Sequence, residues 1–167
     1  MYDKIHKRFL HMPSYKAEGE ITYYTNKTKN PYKFVEYYDG NSNHLIHYTD
    51  DGLKMYVNSY GVNIKYDGDN VVKISDDDTG YRYIFADCFF ENYYTKETSL
   101  SDGNSKYILL ETEGDTKDVS IVKLWIDSDT VLPHHMEIYD RDNKVICKIE
   151  FTYFDYGYIP DKELFVF

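Results

Sequence analysis

Short runs of alternating side chains, separated by tight-turn sequences, are the feature that most limits how this chain can fold. From Tyr15 onward the pattern repeats every second residue, and in Ala17–Tyr23 apolar or small residues alternate with polar ones. Turn signals such as Asp51-Gly52 and Asp67-Gly68 follow at short intervals. A period of two gives a strand one apolar and one polar face, and Asp-Gly favours a hairpin. The pattern therefore predicts a meander of antiparallel hairpins.

We predict about ten strands in this meander. They are Tyr15–Tyr23, Tyr32–Tyr38, His44–Thr49, Leu53–Asn58, Val62–Tyr66, Val71–Ser75, Tyr107–Glu113, Val119–Asp127, His134–Tyr139 and Lys144–Phe154. In the last of them we expect four alternating side chains on the inner face of the sheet, those of Val145, Cys147, Ile149 and Phe151.

Two stretches depart from the period of two and predict helices. Tyr2, Ile5 and Phe9 recur at helical spacing, which places an apolar stripe on a short N-terminal helix. The stripe ends before Pro13, which terminates helices. Between Tyr81 and Leu100 the apolar residues lie on most sides of a helix, as is typical of a buried one. The sequence thus predicts a mostly β (α+β) single domain over residues 1–167, with this second helix, near Phe85–Tyr94, plugging the concave side of the sheet.

The charge balance of the chain limits its partners. The formal net charge is −10, and the sequence has no dense basic run. Nucleic acids and anionic membrane surfaces attract clustered Lys and Arg, so we expect neither as a direct partner. No stretch reaches the roughly 18 apolar residues that a transmembrane helix needs.

Residues that could carry chemistry form no recognisable motif. His44 and His47 lie three apart on a predicted strand, where such positions point to opposite faces. For the same reason we expect His134 to point inward and His135 outward. The turn Asp67–Asn70 begins like a calcium loop but lacks the closing glutamate. No nucleophile elbow, phosphate loop or zinc-protease motif is present. The sequence therefore predicts no catalytic residue, no metal ligand and no cofactor.

Aromatic residues on the polar faces of strands are the candidates for a binding surface. The chain contains 20 tyrosines, nine phenylalanines and one tryptophan. Trp125, Tyr56 and Tyr139 each share a predicted strand face with polar residues. Aromatics in that position are enriched at protein interfaces, but they also cover cross-strand neighbours. Both interpretations stay open, and these three residues are the candidate partner-binding residues.

Several segments resemble a known group of proteins over nearly the whole chain. They are Tyr2–Ile5, Ser14–Ala17, Lys123–Asp127, Leu132-Pro133, Met136–Asp140, Ile149–Phe151, Ile159–Asp161 and Phe165. Together with the order of helix, meander, inner helix and strands, they resemble LolA/LolB-like lipoprotein-carrier domains. Within that superfamily the chain is most similar to GerS-like germination lipoproteins of spore-forming clostridia.

This resemblance implies a half-open antiparallel β-barrel with helices against its concave side. It also implies an extracytoplasmic lipoprotein of the developing spore, held at the membrane only by a lipid anchor on a cysteine that precedes Met1. For the GerS-like group it implies a non-enzymatic adaptor that binds and activates CwlD. CwlD is an N-acetylmuramoyl-L-alanine amidase of the spore cortex that uses zinc and enables muramic-δ-lactam formation. The zinc would belong to the amidase.

Two other functions remain possible at this stage. A lipid or lipoprotein carrier would bind acyl chains inside the barrel, but Phe85, Phe89 and Tyr93 stand where a cavity would need room. An enzyme is supported by no specific motif. An open barrel also leaves sheet edges unpaired, which allows a homodimer through edge pairing or strand exchange.

Overall fold

The computed structural model describes residues 5, 14–24, 30–76, 80–87 and 96–167. Within these ranges the chain forms one sheet of eleven strands in which all neighbours are antiparallel. The strands are β1 (Tyr15–Tyr23), β2 (Pro31–Tyr38), β3 (His44–Tyr48), β4 (Leu53–Asn58), β5 (Gly61–Tyr66), β6 (Val72–Ser75), β7 (Lys96–Asp102), β8 (Ser105–Glu113), β9 (Ile121–Asp127), β10 (Pro133–Tyr139) and β11 (Val145–Tyr156). Short 3₁₀ turns occupy Tyr81–Ile84 and Lys162–Phe165.

The strand order joins two meanders through the first and last strands. The order across the sheet is β6-β5-β4-β3-β2-β1-β11-β10-β9-β8-β7. The central pair, β1 and β11, runs in register from Tyr15 opposite Tyr156 to Tyr23 opposite Cys147, with one bulge after Glu18. Among the described strands β6 and β7 each have a neighbour on one side only, so the sheet is not closed. The predicted open antiparallel sheet is confirmed.

Alternation along the strands gathers one hydrophobic core on the concave face. Side chains from both meanders, such as Ile46 of β3 and Leu124 of β9, belong to the same buried cluster, so the sheet curves around it. Cys147 and Ile149 of β11 are buried while Glu150 is exposed, which confirms the predicted inner face of that strand. The alternation of apolar and polar residues along each strand therefore determines which face of the sheet carries the core.

The helix predicted for Tyr81–Leu100 does not extend over that whole range, although Ala86 and Asp87 within it are helical. Tyr81–Ile84 forms a 3₁₀ turn, and the backbone at Phe85 is extended. Residues 88–95 lie outside the described part of the chain. Lys96–Asp102 is strand β7, because its backbone pairs with β8 along its whole length, and that ladder overrides local helical spacing.

The N-terminal helix predicted from Tyr2 to Met12 lies outside the described residues except at Ile5. The Ile5 side chain has no exposure and belongs to the hydrophobic core. Phe85 and Ala86 likewise have no exposure. These three side chains fill part of the concave side, where an acyl-chain carrier would need room.

Candidate functional site

Four aromatic side chains form a strip on the outer face of strands β8, β9 and β10. The strip consists of Tyr107, Trp125, His134 and His135. Trp125 and His135 lie opposite each other in the β9–β10 ladder. Their rings stack with centroids 4.1 Å apart and an interplanar angle of 15°. Tyr107 and His134 make a second contact at 4.8 Å, so the strip is continuous.

The stacked histidine is uncharged at neutral pH. Burial, together with the neighbouring charge of His134, lowers the pKa of His135 to about 4. A neutral imidazole against Trp125 gives a flat surface with an apolar body and a polar edge. That combination is typical of aromatic contact residues in protein interfaces. The predicted placement of Trp125 on the outer face is confirmed by its half-buried position between buried Leu124 and Ile126.

The expected inward orientation of His134 is wrong. The β9–β10 register shifts between Pro133 and His135, so Pro133 becomes the buried residue and His134 is exposed. The Nδ1 atoms of His134 and His135 lie 2.9 Å apart. A bulge puts two successive side chains on the same face, and a prediction from strict alternation does not include bulges. The bulge thereby adds a second ring to the strip.

A row of alternating charges runs beside the aromatic strip. Glu111, Lys123, Glu137 and Lys148 are cross-strand neighbours on β8, β9, β10 and β11. The Lys123 ammonium lies 3.4 Å from Glu111 and 4.9 Å from the ring centre of Tyr139. The Tyr139 hydroxyl donates a hydrogen bond to Glu137. Tyr139 is thus half-buried on the outer face, held within this row.

Tyr56, the third candidate from the sequence, is not exposed. Only 5% of its surface is accessible. The Phe167 ring contacts the Tyr56 ring with centroids 4.5 Å apart, tilted by 35°, and the 3₁₀ turn Lys162–Phe165 packs on neighbouring β3. The terminal segment therefore covers the outer face of β3 and β4. The structure separates Tyr56 from Trp125 and Tyr139, which lie together on the other half of the sheet.

A second outer-face aromatic cluster was missed in the sequence. The Lys16 ammonium lies 5.7 Å from the ring centre of Tyr153 and 5.9 Å from that of Tyr158. Tyr37 contacts Tyr158 at 6.0 Å. Tyr37 alternates with the inner-face residues Phe34 and Glu36, so periodicity could have placed it outside. Strict alternation from Phe151 would instead have placed Tyr153 inside, and the register shift after Glu18 turns it outward. Their meeting depends on the β1–β2 and β1–β11 pairings, which the local pattern does not specify.

Titratable side chains form a buried cluster at one end of the concave face. His44 Nε2 lies 2.7 Å from an Asp87 carboxylate oxygen, and the Tyr15 hydroxyl donates to the other oxygen at 3.1 Å. His44 and Asp87 are both buried. Burial lowers the pKa of His44, but the charge of Asp87 and their hydrogen bond outweigh it, so the net shift is upward. The arrangement is a buried ion pair: the Tyr38 ring stacks on His44 with centroids 4.7 Å apart, and the Phe85 ring contacts His44 at 4.6 Å, tilted by 40°.

In the described part of the chain, no three His, Cys, Asp or Glu residues are placed to hold a metal ion together. No described helix is long and apolar enough to cross a membrane.

An open antiparallel sheet that curves around a filled concave face, with aromatics on its outer side, defines a LolA-like class of fold. A LolA-superfamily protein from Nitrosomonas europaea is similar, with 11% identity and a TM-score of 0.50 over 96% of this chain and 95% of that chain. The chain matches the YdcC-like sporulation protein family over residues 2–165 and belongs to that family. No curated protein sequence matches it significantly.

Two further solved structures share the fold. A DUF1329-family protein from Desulfovibrio piger is 15% identical with a TM-score of 0.58, over 98% of this chain and 96% of that chain. A chain in the complex of the CwlD amidase with the GerS lipoprotein from Clostridioides difficile is 22% identical with a TM-score of 0.51, over 93% of each chain. The resemblance to LolA-like and GerS-like proteins inferred from the sequence is confirmed.

Proposed function

We propose that this protein is a non-enzymatic, extracytoplasmic adaptor of sporulating cells that binds a CwlD-type cell-wall amidase and activates it. The observation that carries the proposal is membership of a sporulation family whose fold also occurs in the complex of the CwlD amidase with the GerS lipoprotein. We further propose that a lipid anchor upstream of Met1 holds the protein at the membrane. In this role the domain supplies a surface and no catalytic group.

The aromatic strip supports the adaptor role as the contact surface. Its rings lie on three adjacent strands, so their positions are fixed by backbone pairing before any partner arrives. Pre-ordered aromatic side chains contribute contact area with little loss of conformational entropy, which is why a few of them dominate many interfaces. The neighbouring row of alternating charges favours one orientation of the partner, because like charges placed opposite each other are unfavourable.

The test is to measure binding of the purified amidase to wild-type protein and to Trp125→Ala by calorimetry. We expect the substitution to weaken binding by about 2 kcal/mol or more, as for the central aromatic residue of an interface. Tyr60→Ala is the matched control, since Tyr60 is 81% exposed in a turn of the other meander. Thermal unfolding of both variants separates lost contacts from lost folding.

Amidase activity on cortex peptidoglycan tests activation in the same preparations. Wild-type protein should raise the rate, and Trp125→Ala should require a higher concentration to reach it. Two outcomes contradict the proposal: no binding of the amidase by wild-type protein, or binding without any change in rate. Equal affinity of wild type and Trp125→Ala contradicts the choice of surface alone.

A further inference from the structure

A cavity lined by tyrosines opens at one end of the concave face, away from the His44–Asp87 ion pair. Its volume is about 320 Å³. Four rings from four different strands form its walls, and we call them the tyrosine cage: Tyr23 of β1, Tyr32 of β2, Tyr48 of β3 and Tyr66 of β5. Leu53 and Asp51 complete the lining. All four tyrosines lie on the inner face of the sheet, because they continue the alternation of Ile21, Phe34, Ile46 and Ile64.

The rings stand at an angle to one another and do not stack. The Tyr32 and Tyr48 rings are 6.2 Å apart and nearly perpendicular, at 83°. Tyr23 is tilted by 55° to Tyr32 and by 47° to Tyr48, at 6.4 and 6.5 Å. The hydroxyl oxygens of Tyr23 and Tyr48 lie 2.5 Å apart, and this hydrogen bond fixes two of the walls. Tyr66 is 46% exposed and borders the opening.

The charges around the cavity are negative. Asp51 lies in the turn between β3 and β4, and its Oδ1 accepts a hydrogen bond from the Leu53 amide at 3.2 Å, which orients the carboxylate. Among the described residues Asp51 forms no ion pair, and no Lys, Arg or His lines the cavity. The faces of aromatic rings carry partial negative charge, so several rings and one carboxylate create a site complementary to a cation.

Other ligand chemistries fit this lining less well. A sugar ring stacks on one flat aromatic platform, whereas these rings are inclined to one another by 47° to 83°. An acyl chain favours an apolar wall, whereas this wall contains phenol hydroxyls and a carboxylate. An ammonium or methylated ammonium group needs no donor from the protein and interacts favourably with several ring faces at once.

We propose that the tyrosine cage binds an organic ammonium group, with Asp51 as its counter-ion. The group belongs either to a small quaternary ammonium compound or to a lysine side chain of a partner protein, since both present the same positive charge on an aliphatic body. The site is distinct from the aromatic strip, on the opposite face of the sheet. The proposal does not depend on amidase binding.

The test uses two charged probes and one uncharged probe on the isotope-labelled protein. The charged probes are choline and a lysine that is acetylated at its α-amine and amidated at its carboxylate. The uncharged probe is the alcohol isosteric with choline, in which carbon replaces nitrogen. Amide shifts at Tyr48 and Leu53 report binding. We expect at least one charged probe to bind roughly tenfold more tightly than the uncharged alcohol. The tighter of the two charged probes identifies the source of the ammonium.

Variants distinguish binding in the tyrosine cage from nonspecific electrostatic attraction of the charged probes. Asp51→Asn and Tyr66→Leu should each weaken binding by roughly tenfold, because each removes one element of the site at an exposed position. Asp129→Asn and Tyr60→Leu are matched controls at exposed turns outside the cavity and should leave binding unchanged. Trp125→Ala should also leave it unchanged, which distinguishes failure of this proposal from failure of the adaptor role.

Three results would overturn the proposal. The first is the absence of shifts at Tyr48 and Leu53 with either charged probe. The second is affinity for the uncharged alcohol that equals or exceeds the affinity for the tighter of the two charged probes, since the cavity would then select shape and apolar surface. The third is tighter binding of an N-acetylglucosamine oligomer than of either ammonium, which would make the cavity a sugar site.

Discussion

Glu36 carries a carboxyl group in the middle of the inner face. Its neighbours across the ladder are Ala17 and Ile46, and its side chain has no exposure. Both carboxyl oxygens are buried, and burial raises the pKa of Glu36 by more than the nearby Tyr15 hydroxyl lowers it. Burial, and then the negative charge of Asp87, raise the pKa of Glu36 well above its ordinary value of 4.5. Folding therefore favours the neutral form of this carboxyl group.

This shift predicts that the protein loses stability as pH rises. A carboxyl whose pKa is higher in the folded state binds its proton more tightly there than in the unfolded chain. Its stabilising contribution is complete below pH 4.5 and disappears as pH rises through the folded-state value. In Glu36→Gln this contribution to the pH dependence should vanish, and the variant should become increasingly more stable than wild type as pH rises above 4.5. Urea unfolding across that range measures the effect.

The exposed carboxyl of Glu113 provides the control for that experiment. Glu113→Gln should follow the wild-type curve at every pH. Some pH dependence should survive in Glu36→Gln, because the upward pKa shift of His44 has the same sign. Parallel curves for wild type and Glu36→Gln would show that Glu36 ionises with equal ease in both states and would contradict the prediction.

The three candidate residues show what the alternation of side chains along a strand can and cannot predict. It places Trp125 and Tyr139 correctly on the outer face, where both are half-buried. It fails at Tyr56, since a segment more than a hundred residues later in the chain covers the same face. Alternation assigns a side chain to a face, but exposure also depends on what packs there.

At the level of elements, Gly19 of β1 permits close contact with β11. A β-carbon at this position would lie 1.9 Å from the carbonyl oxygen of Glu150, which is backbone and cannot move aside easily. Gly19→Ala should therefore destabilise the protein by about 3 kcal/mol or more. Gly68→Ala is the comparison, because a β-carbon there would have no atom within 4 Å and only the positive φ of 83° opposes alanine. That variant should lose about 1 kcal/mol.

Chemical denaturation of the two glycine variants gives both values. Since β1–β11 joins the two meanders, Gly19→Ala should also lower the cooperativity of unfolding. A loss no greater than that of Gly68→Ala would mean that the bulge after Glu18 absorbs the added methyl group.

Strand β7 illustrates what the local pattern does not specify. Its sequence, Lys96–Asp102, contains one large apolar residue, Leu100, and most of its side chains are exposed. It is a strand because β8 offers a complete row of backbone partners. A strand that forms mainly because a neighbouring strand pairs with it has little sequence pattern of its own. A strand with one buried face, such as β9, has a strong alternating pattern.

At the scale of the whole molecule, the individual hairpins could be predicted from the sequence, but the strand pairing that joins them into one sheet could not. Each turn signal specifies a pairing between strands adjacent in sequence. The pairing of β1 with β11 joins residues more than a hundred positions apart, and it decides that the sheet has one core. Family resemblance supplied that part of the architecture. The tyrosine cage was missed for the same reason, since its members come from four strands.

The open edge of the sheet at β6 predicts weak self-association. Val72 is 56% exposed and Ile74 is 42% exposed, on a strand with one described neighbour. Exposed apolar edge strands pair with other chains, and a lysine on the edge opposes this. Ile74→Lys should therefore shift sedimentation toward the monomer, whereas Ile159→Lys, at an 85% exposed site away from the strands, should not. A wild-type protein that is monomeric at all concentrations would contradict this.

A surface without catalytic groups could activate an amidase by stabilising one state of the enzyme. A binding protein stabilises only the state of its partner for which it has higher affinity. If the amidase exists in metal-free and zinc-loaded forms, an activator should favour the loaded one. By linkage, zinc must then tighten the complex by the same factor by which the complex tightens zinc. Calorimetry of this protein against the metal-free and the zinc-loaded amidase measures the first factor, and zinc competition with a chelator measures the second. The mechanism is supported if the two factors are equal to each other and greater than one. Identical affinity for the metal-free and the zinc-loaded amidase would mean that activation occurs at another step.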